Sequence, residues 1–136
     1  MTLSLIAALA LAVPAQNTPR PEAELQGIWA PAAAELGGQA APLPDKMRLA
    51  IKDDQYTVAV DREIDRGTFK LDPKKTARAM DITGTAGPNK GRTILAIYEV
   101  TADTLKICYA LEGPRPDGFQ TGPGDKRFLV TYKRAK

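Results

Sequence analysis

The chain has 136 residues, of which 43% are hydrophobic and 26% are charged. This composition fits one soluble globular domain and excludes both a disordered chain and two domains of ordinary size. The 19 basic and 16 acidic residues are interspersed and leave a net charge of +3, so there is no basic stripe that would indicate a nucleic-acid partner. The chain has no histidine and one cysteine, Cys108, which excludes a Ser/His/Asp triad, a histidine metal site and an internal disulfide. We therefore predict a protein that is not an enzyme and that uses no cofactor and no metal ion.

The beginning of the chain has the features of an export signal. Leu3–Val13 is apolar and uncharged, yet too short to span a bilayer as a helix. The next residues, Val13-Pro14-Ala15, resemble a small-x-small cleavage site, and a polar stretch with prolines follows. The sequence predicts a signal peptide at 1–15, a flexible lead-in at 16–23 and a single domain at 24–136. The mature protein is then periplasmic or extracellular and has no stable membrane span; a buried N-terminal helix is the alternative.

After the lead-in, hydrophobic residues alternate with polar ones, which is the period of a half-buried β-strand. One clear example places Met47, Leu49 and Ile51 on the same face of a strand. Only short helical turns are expected in this part of the chain, at Ala32–Leu36 and Pro73–Thr76. The predicted strands are Glu24–Ala30, Lys46–Lys52, Gln55–Val60, Ile64–Leu71, Thr76–Thr83, Thr93–Val100, Thr104–Leu111 and Lys126–Lys133.

These strands predict an all-β fold, an antiparallel up-and-down barrel of about eight strands. Closure into a barrel leaves no edge with unpaired backbone groups, whereas an open meander has two such edges. A β-sandwich is the alternative. The connections of a meander alternate between two ends, and three long ones, Pro31–Asp45, Gly84–Arg92 and Glu112–Asp125, fall at the same end. That end is the predicted mouth of the barrel.

The segment Gly27-Ile28-Trp29 resembles the G-x-W signature of lipocalin-like barrels. The resemblance implies that Trp29 closes one end of the barrel and that Gly27 has a structural role beside it. It also implies that a basic residue near the last strand lies over the indole ring in a cation–π contact. Arg127 and Arg134 are the two candidates for that basic residue.

A broader resemblance covers nearly the whole predicted mature chain. Six segments carry it in order: Leu25–Trp29, Gly67–Asp72, Met80–Ile82, Ala96–Glu99, Asp103–Tyr109 and Arg115–Phe119. The ordered set resembles an uncharacterised family of small exported domains that is abundant in planctomycete bacteria. The resemblance implies an exported, lipocalin-like domain and supplies no activity.

The polar residues within these segments form the candidate ligand-binding site. In one hypothesis they cluster inside the barrel or at its mouth, where Arg115 binds an anionic or polar ligand as a bidentate fork. Asp81 and Glu99 would then hold Arg115 in place. In the structural alternative, Arg115 fastens the last long loop to the barrel wall and Asp81 caps backbone amides. The candidate residues are Arg115, Asp81, Glu99, Tyr98 and Tyr109.

The predicted function depends on whether the barrel is hollow or filled. A barrel of eight strands can be either, because its interior is just wide enough to be filled by side chains or to hold one small ligand. If aromatic side chains of the strands surround a void, we expect a non-enzymatic envelope module that binds a small molecule or an envelope protein. If they fill the interior, a purely structural or interaction domain without a ligand is expected. The oligomeric state is left open. The deciding aromatic residues are Trp29, Tyr56, Phe69, Tyr98, Tyr109, Phe128 and Tyr132.

Overall fold

The structure is a computed structural model that describes residues 21–72 and 78–135. The predicted signal peptide at 1–15 and the predicted turn at Pro73–Thr76 lie outside the described residues. Over the described ranges the chain forms one short helix and nine strands. These are α1 (Pro21–Leu25), β1 (Gly27–Leu36), β2 (Gln39–Ala40), β3 (Met47–Lys52), β4 (Gln55–Val60), β5 (Arg62–Asp72), β6 (Arg78–Ala86), β7 (Thr93–Val100), β8 (Thr104–Ala110) and β9 (Arg127–Arg134).

Eight of the strands form a closed antiparallel barrel. Strand β1 pairs with β3, and each strand from β3 to β8 pairs with the next strand in chain order. The last strand, β9, pairs with β1 and closes the barrel. The closing register runs from Trp29 opposite Arg134 to Leu36 opposite Phe128. The short strand β2 folds back onto the end of β1 as a hairpin. The prediction of an antiparallel up-and-down barrel is confirmed, and the β-sandwich alternative is wrong.

The first barrel strand differs from its prediction at both ends. Its start was expected at Glu24, but Glu24 belongs to α1 and the strand begins at Gly27. The short helical turn expected at Ala32–Leu36 is wrong, because this segment continues β1. Its alanines favour a helix locally, yet pairing of residues 33–36 with β9 satisfies their backbone groups in the barrel wall. A register shift between Pro31 and Ala33 accommodates the proline, which has no amide hydrogen to donate.

The short helix α1 and the tryptophan of β1 seal one end of the barrel. Trp29 is fully buried, and its indole Nε1 donates a hydrogen bond to the carbonyl oxygen of Leu25 at 2.9 Å. The guanidinium carbon of Arg134 lies 4.2 Å from the centroid of the indole ring, within cation–π range. Arg134 therefore takes the position over Trp29. Arg127 lies elsewhere and pairs with Asp117 at 3.0 Å.

Arg134 also ties three segments of the sealed end together. Its guanidinium donates to the carbonyl oxygens of Gln26 at 2.6 Å, Glu24 at 2.9 Å and Ala102 at 2.8 Å. Gly27 allows this close approach, because a Cβ atom there would lie 2.8 Å from Nη1 of Arg134. Gly27 also has a φ of +125°, a conformation that side chains other than glycine's rarely adopt. The glycine of the G-x-W segment is thus required by space and by backbone geometry.

Within residues 21–72 and 78–135, no helix has the length and apolar character needed to cross a membrane.

Candidate functional site

The barrel is hollow toward the end opposite Trp29. It encloses a cavity of about 460 Å³, within the range of roughly 300–1,000 Å³ that is typical of small-ligand pockets. Leu36, at the end of β1, and Ile64, near the start of β5, are each 45% exposed at its rim. Pro88 and Asn89, from the loop between β6 and β7, also line it. The cavity therefore opens where the predicted mouth loops begin and end.

The walls of the cavity are mostly apolar, and all eight barrel strands contribute to them. Five aromatic side chains surround the space, while Trp29 and Tyr98 are buried outside the lining. Trp29 and Tyr98 thus fill their part of the interior, whereas the space between the lining residues is not filled by side chains. The strand residues of the lining are Leu36, Met47, Leu49, Ile51, Tyr56, Val58, Ile64, Asp65, Phe69, Met80, Ile82, Ile94, Ile107, Tyr109, Phe128 and Tyr132.

Three tyrosines bring hydroxyl groups into this apolar surrounding. The hydroxyl oxygens of Tyr109, on β8, and Tyr132, on the neighbouring strand β9, are hydrogen-bonded at 3.0 Å. Burial raises the pKa of Tyr132 to about 12 and raises that of Tyr109 well above its ordinary value. Burial, followed by the negative charge of Asp65, raises the pKa of Tyr56 to about 12. All three side chains are consequently uncharged near neutral pH and offer hydrogen bonds rather than charge.

Asp65 is the carboxylate of the cavity wall. It pairs in register with Val58, another lining residue, so its side chain faces the interior. One carboxylate oxygen accepts a hydrogen bond from the backbone amide of Arg66 at 2.9 Å. The other oxygen accepts one from Nδ2 of Asn89 at 3.1 Å. These two bonds hold the carboxylate between β5 and the mouth loop.

Asp65, Asn89, Tyr56 and Tyr132 were missed as site residues in the sequence. The sequence did contain a signal for Asp65. Alternate residues of a strand face the same side, and Asp65 is four residues from Phe69 on β5, so both side chains face inward. No local pattern marks Asn89, since it reaches the site only through the path of the β6–β7 loop.

The structure does not gather the five predicted site residues into one cluster. Arg115 and Asp81 do meet, with Nη2 2.6 Å from Oδ1, but they meet on the outer wall. Glu99 is exposed on the outer face of β7, opposite Lys106 of β8. Tyr98 and Tyr109 both point inward, and only Tyr109 lines the cavity. A single binding cluster built on these residues is therefore wrong.

Arg115 instead fastens the loop between β8 and β9 to the outside of the barrel. Besides the ion pair with Asp81, its Nη1 donates to the carbonyl oxygens of Ala96 at 2.9 Å and Met80 at 3.3 Å. Further along the same loop, the backbone of Gln120 lies near the Cys108 thiol, where it opposes the rise in the pKa of that thiol. The loop thus covers the outer face of β6, β7 and β8, which is the arrangement of the structural alternative.

This cover explains why Cys108 is fully buried although it faces away from the barrel interior. It lies opposite Ile97 of β7, which in turn lies opposite Ala79 of β6, and all three are buried. Burial raises the pKa of the Cys108 thiol, because the thiolate would lose its hydration. A buried thiol of raised pKa is expected to react slowly with thiol reagents.

Replacing Arg115 with alanine is expected to speed labelling of Cys108 by Ellman's reagent by about tenfold to a hundredfold. The variant loses charge-assisted hydrogen bonds worth about 1.5–3 kcal/mol, so the loop opens more often. Labelling rates at neutral pH are the measurement. The control is Arg62→Ala, which removes an exposed arginine from the start of β5. Equal rates in Arg115→Ala and the unmodified protein would contradict the fastening role.

Comparisons with protein-family models, with curated proteins and with solved structures found no significant match for this chain. Among the residues that the structure describes, no three His, Cys, Asp or Glu side chains are grouped so that they could hold a metal ion. The resemblance to an exported planctomycete family stays a prediction. The cavity and its lining are therefore the basis for inferring function.

Proposed function

We propose that this barrel is a non-enzymatic binding module that holds a small, mainly apolar molecule in its interior. The observation that carries the proposal is the cavity of about 460 Å³, walled by apolar and aromatic side chains and open at one end. Cavities of this size and lining are the usual form of small-molecule sites.

The physical driving force is the removal of apolar surface from water. Each square ångström of apolar surface that leaves water contributes roughly 25 cal/mol, for the ligand as well as for the wall. Deep lining residues such as Ile51, Phe69 and Ile107 are already buried and held in the barrel wall. Little side-chain ordering is then needed on binding, and ordering is one of the main costs of association.

The alternative, a structural domain with a filled barrel, fits the sealed half better than the half nearer the mouth. A protein interior normally packs as densely as an organic crystal, because an empty space forfeits dispersion contacts. Trp29 and Tyr98 achieve such packing near the sealed end, where both are almost fully buried. The space above them lacks a filling side chain, which favours a ligand.

The site of action follows from the apolar segment at the start of the chain. The predicted export signal at 1–15 supports a periplasmic or extracellular location, so we infer that the ligand is met outside the cytoplasm.

Filling the cavity tests the proposal. Val58→Trp adds a large ring to the lining, whereas Thr57→Trp adds the same ring to the outer face of the same strand. The uncharged dye N-phenyl-1-naphthylamine is expected to fluoresce with the unmodified protein and with Thr57→Trp. It should bind Val58→Trp at least about tenfold more weakly, a difference of about 1.4 kcal/mol. Failure of the unmodified protein to bind the dye, or equal binding by both variants, would refute the interior site.

A further inference from the structure

One carboxylate stands in the wall of a cavity that otherwise has no charged side chain. Among the described residues that line the space, Asp65 is the only Asp, Glu, Lys or Arg, and burial raises the pKa of each of the three tyrosines, which keeps them neutral. Charged side chains are costly to hold against apolar surroundings unless something compensates them. The negative charge of Asp65 therefore influences which ligands the cavity binds.

The hydrogen bonds that Asp65 receives within the protein leave its negative charge uncompensated. Its two donors, the amide of Arg66 and the side-chain amide of Asn89, are both neutral groups. The guanidinium of Arg66 turns instead to Glu63, with Nε 3.7 Å from Oε2. No Lys or Arg of the described ranges lies within 4 Å of the Asp65 carboxylate. A carboxylate has about four lone-pair positions, so two acceptor positions are left for a ligand.

The aromatic lining adds a second feature that favours positive charge. Tyr56, Phe69, Tyr109, Phe128 and Tyr132 present π-systems to the same space. The faces of such rings attract ammonium groups, with about 2 kcal/mol or more where the pair is shielded from water. Proteins that recognise quaternary ammonium ligands use aromatic side chains in this way.

Anionic amphiphiles are disfavoured by the same lining. The described part of the wall contributes no Lys or Arg, so the carboxylate of a fatty acid would find no counter-charge. It would also meet the negative charge of Asp65, and the repulsion between like charges is strong where water is scarce.

We propose that the ligand is an apolar amine: a molecule with an aliphatic or aromatic body and a cationic nitrogen that pairs with Asp65. This deepens the proposed function and rests on it. Asn89 belongs to the loop at the mouth and bonds directly to Asp65, so the charged head lies near solvent. The apolar body then extends toward Ile51 and Tyr132, deeper in the barrel. In this orientation the ammonium group keeps part of its hydration while the hydrocarbon leaves water, which lowers the cost of burying the charge.

The test compares three probes that share a decyl chain and differ in the head group. Decylammonium is cationic, 1-decanol is neutral and decanoate is anionic near pH 7. Titration calorimetry is expected to give affinities in that order, with decylammonium at least about tenfold tighter than decanol. In Asp65→Asn the preference for the cation over the alcohol should disappear, so that decylammonium binds no better than 1-decanol does to the same variant. The amide retains an acceptor for the hydrogen bond from Asn89, which favours an intact loop.

Asp54→Asn is the matched control, because it removes the same charge from the exposed turn between β3 and β4. It should keep the full preference for decylammonium, which separates a local effect of Asp65 from a change in net charge. Equal binding of the cation and the alcohol by the unmodified protein would overturn the amine proposal and leave the binding function standing. An unchanged preference in Asp65→Asn would also overturn it. Absence of binding by all three probes would overturn both proposals.

Discussion

Replacing Trp29 with alanine is expected to lower the free energy of unfolding by about 3–5 kcal/mol, the usual cost of deleting a large buried aromatic side chain. The side chain is fully buried, and three kinds of interaction disappear with it. The barrel loses apolar contacts, the carbonyl oxygen of Leu25 loses its donor, and the guanidinium of Arg134 loses the ring beneath it. Since small domains are stable by only about 5–15 kcal/mol, the variant should be partly unfolded at elevated temperature.

Chemical denaturation followed by far-ultraviolet circular dichroism measures this effect, because the substitution removes the only tryptophan of the chain. Trp29→Phe serves as the comparison. It keeps an aromatic ring under Arg134 and loses the indole hydrogen bond, so a smaller loss of about 1–3 kcal/mol is expected. A loss below about 1 kcal/mol for Trp29→Ala would show that the sealed end is not closed by this ring.

A methyl group at Gly67 is expected to destabilise the barrel by about 3 kcal/mol, at the upper end of the usual cost of overpacking. The Cβ atom would collide with the carbonyl oxygen of Thr83 and would lie 2.8 Å from the hydroxyl oxygen of Tyr56. Neither neighbour is the free end of a flexible chain, because the carbonyl belongs to β6 and the ring is packed in the core. The φ of Gly67 is outside the left-handed region, so space alone makes a side chain unfavourable.

The prediction for Gly67 also has a functional part. Displacing the Tyr56 ring changes the cavity wall beside Asp65, so Gly67→Ala should bind N-phenyl-1-naphthylamine more weakly than the unmodified protein. Gly118→Ala is the matched control, since a Cβ there would have only the side chain of Gln120 within 4 Å. Denaturation midpoints and dye titrations of both variants are the measurements. Equal stability of Gly67→Ala and Gly118→Ala would mean that β5 and β6 separate easily at this point.

The two ends of the barrel differ in structure, and under the proposed function they differ in role. At the sealed end, Arg134 joins α1, the residue between α1 and β1, and the turn before β8 through three carbonyl oxygens. At the mouth, Leu36 and Ile64 are exposed beside the cavity. A rigid base keeps the cavity walls in place, while the loops above them give access. This division is why substitutions at Trp29 should change stability and substitutions at Asp65 should change ligand preference.

The candidate site was only partly predictable from the sequence. Tyr109 was identified and does line the cavity, whereas Arg115 and Asp81 form an ion pair on the outer wall. The sequence could not show that Arg115 would meet Asp81 on the outer wall, because local periodicity does not set the path of a long loop. Asp65 was detectable in principle, since a carboxylate on the apolar face of a strand breaks the alternation.

What the sequence determined by itself is the set of strands and their order. Side chains of a strand alternate between two faces, so the pattern of Met47, Leu49 and Ile51 predicts an element whatever it pairs with. The meander follows from the turns, and the position of the mouth follows from alternating long and short connections. The G-x-W segment marked the closed end, where Gly27 and Trp29 are indeed found.

Only the tertiary structure decided the register, the closure and the state of the interior. Ala32–Leu36 became strand because β9 offered it backbone partners, a long-range interaction that outweighs local helix propensity. Whether the barrel is hollow depends on how the side chains of eight strands meet in three dimensions, which no single segment encodes. The cavity beside Asp65 exists because these side chains fill the space around Trp29 and leave the upper half open.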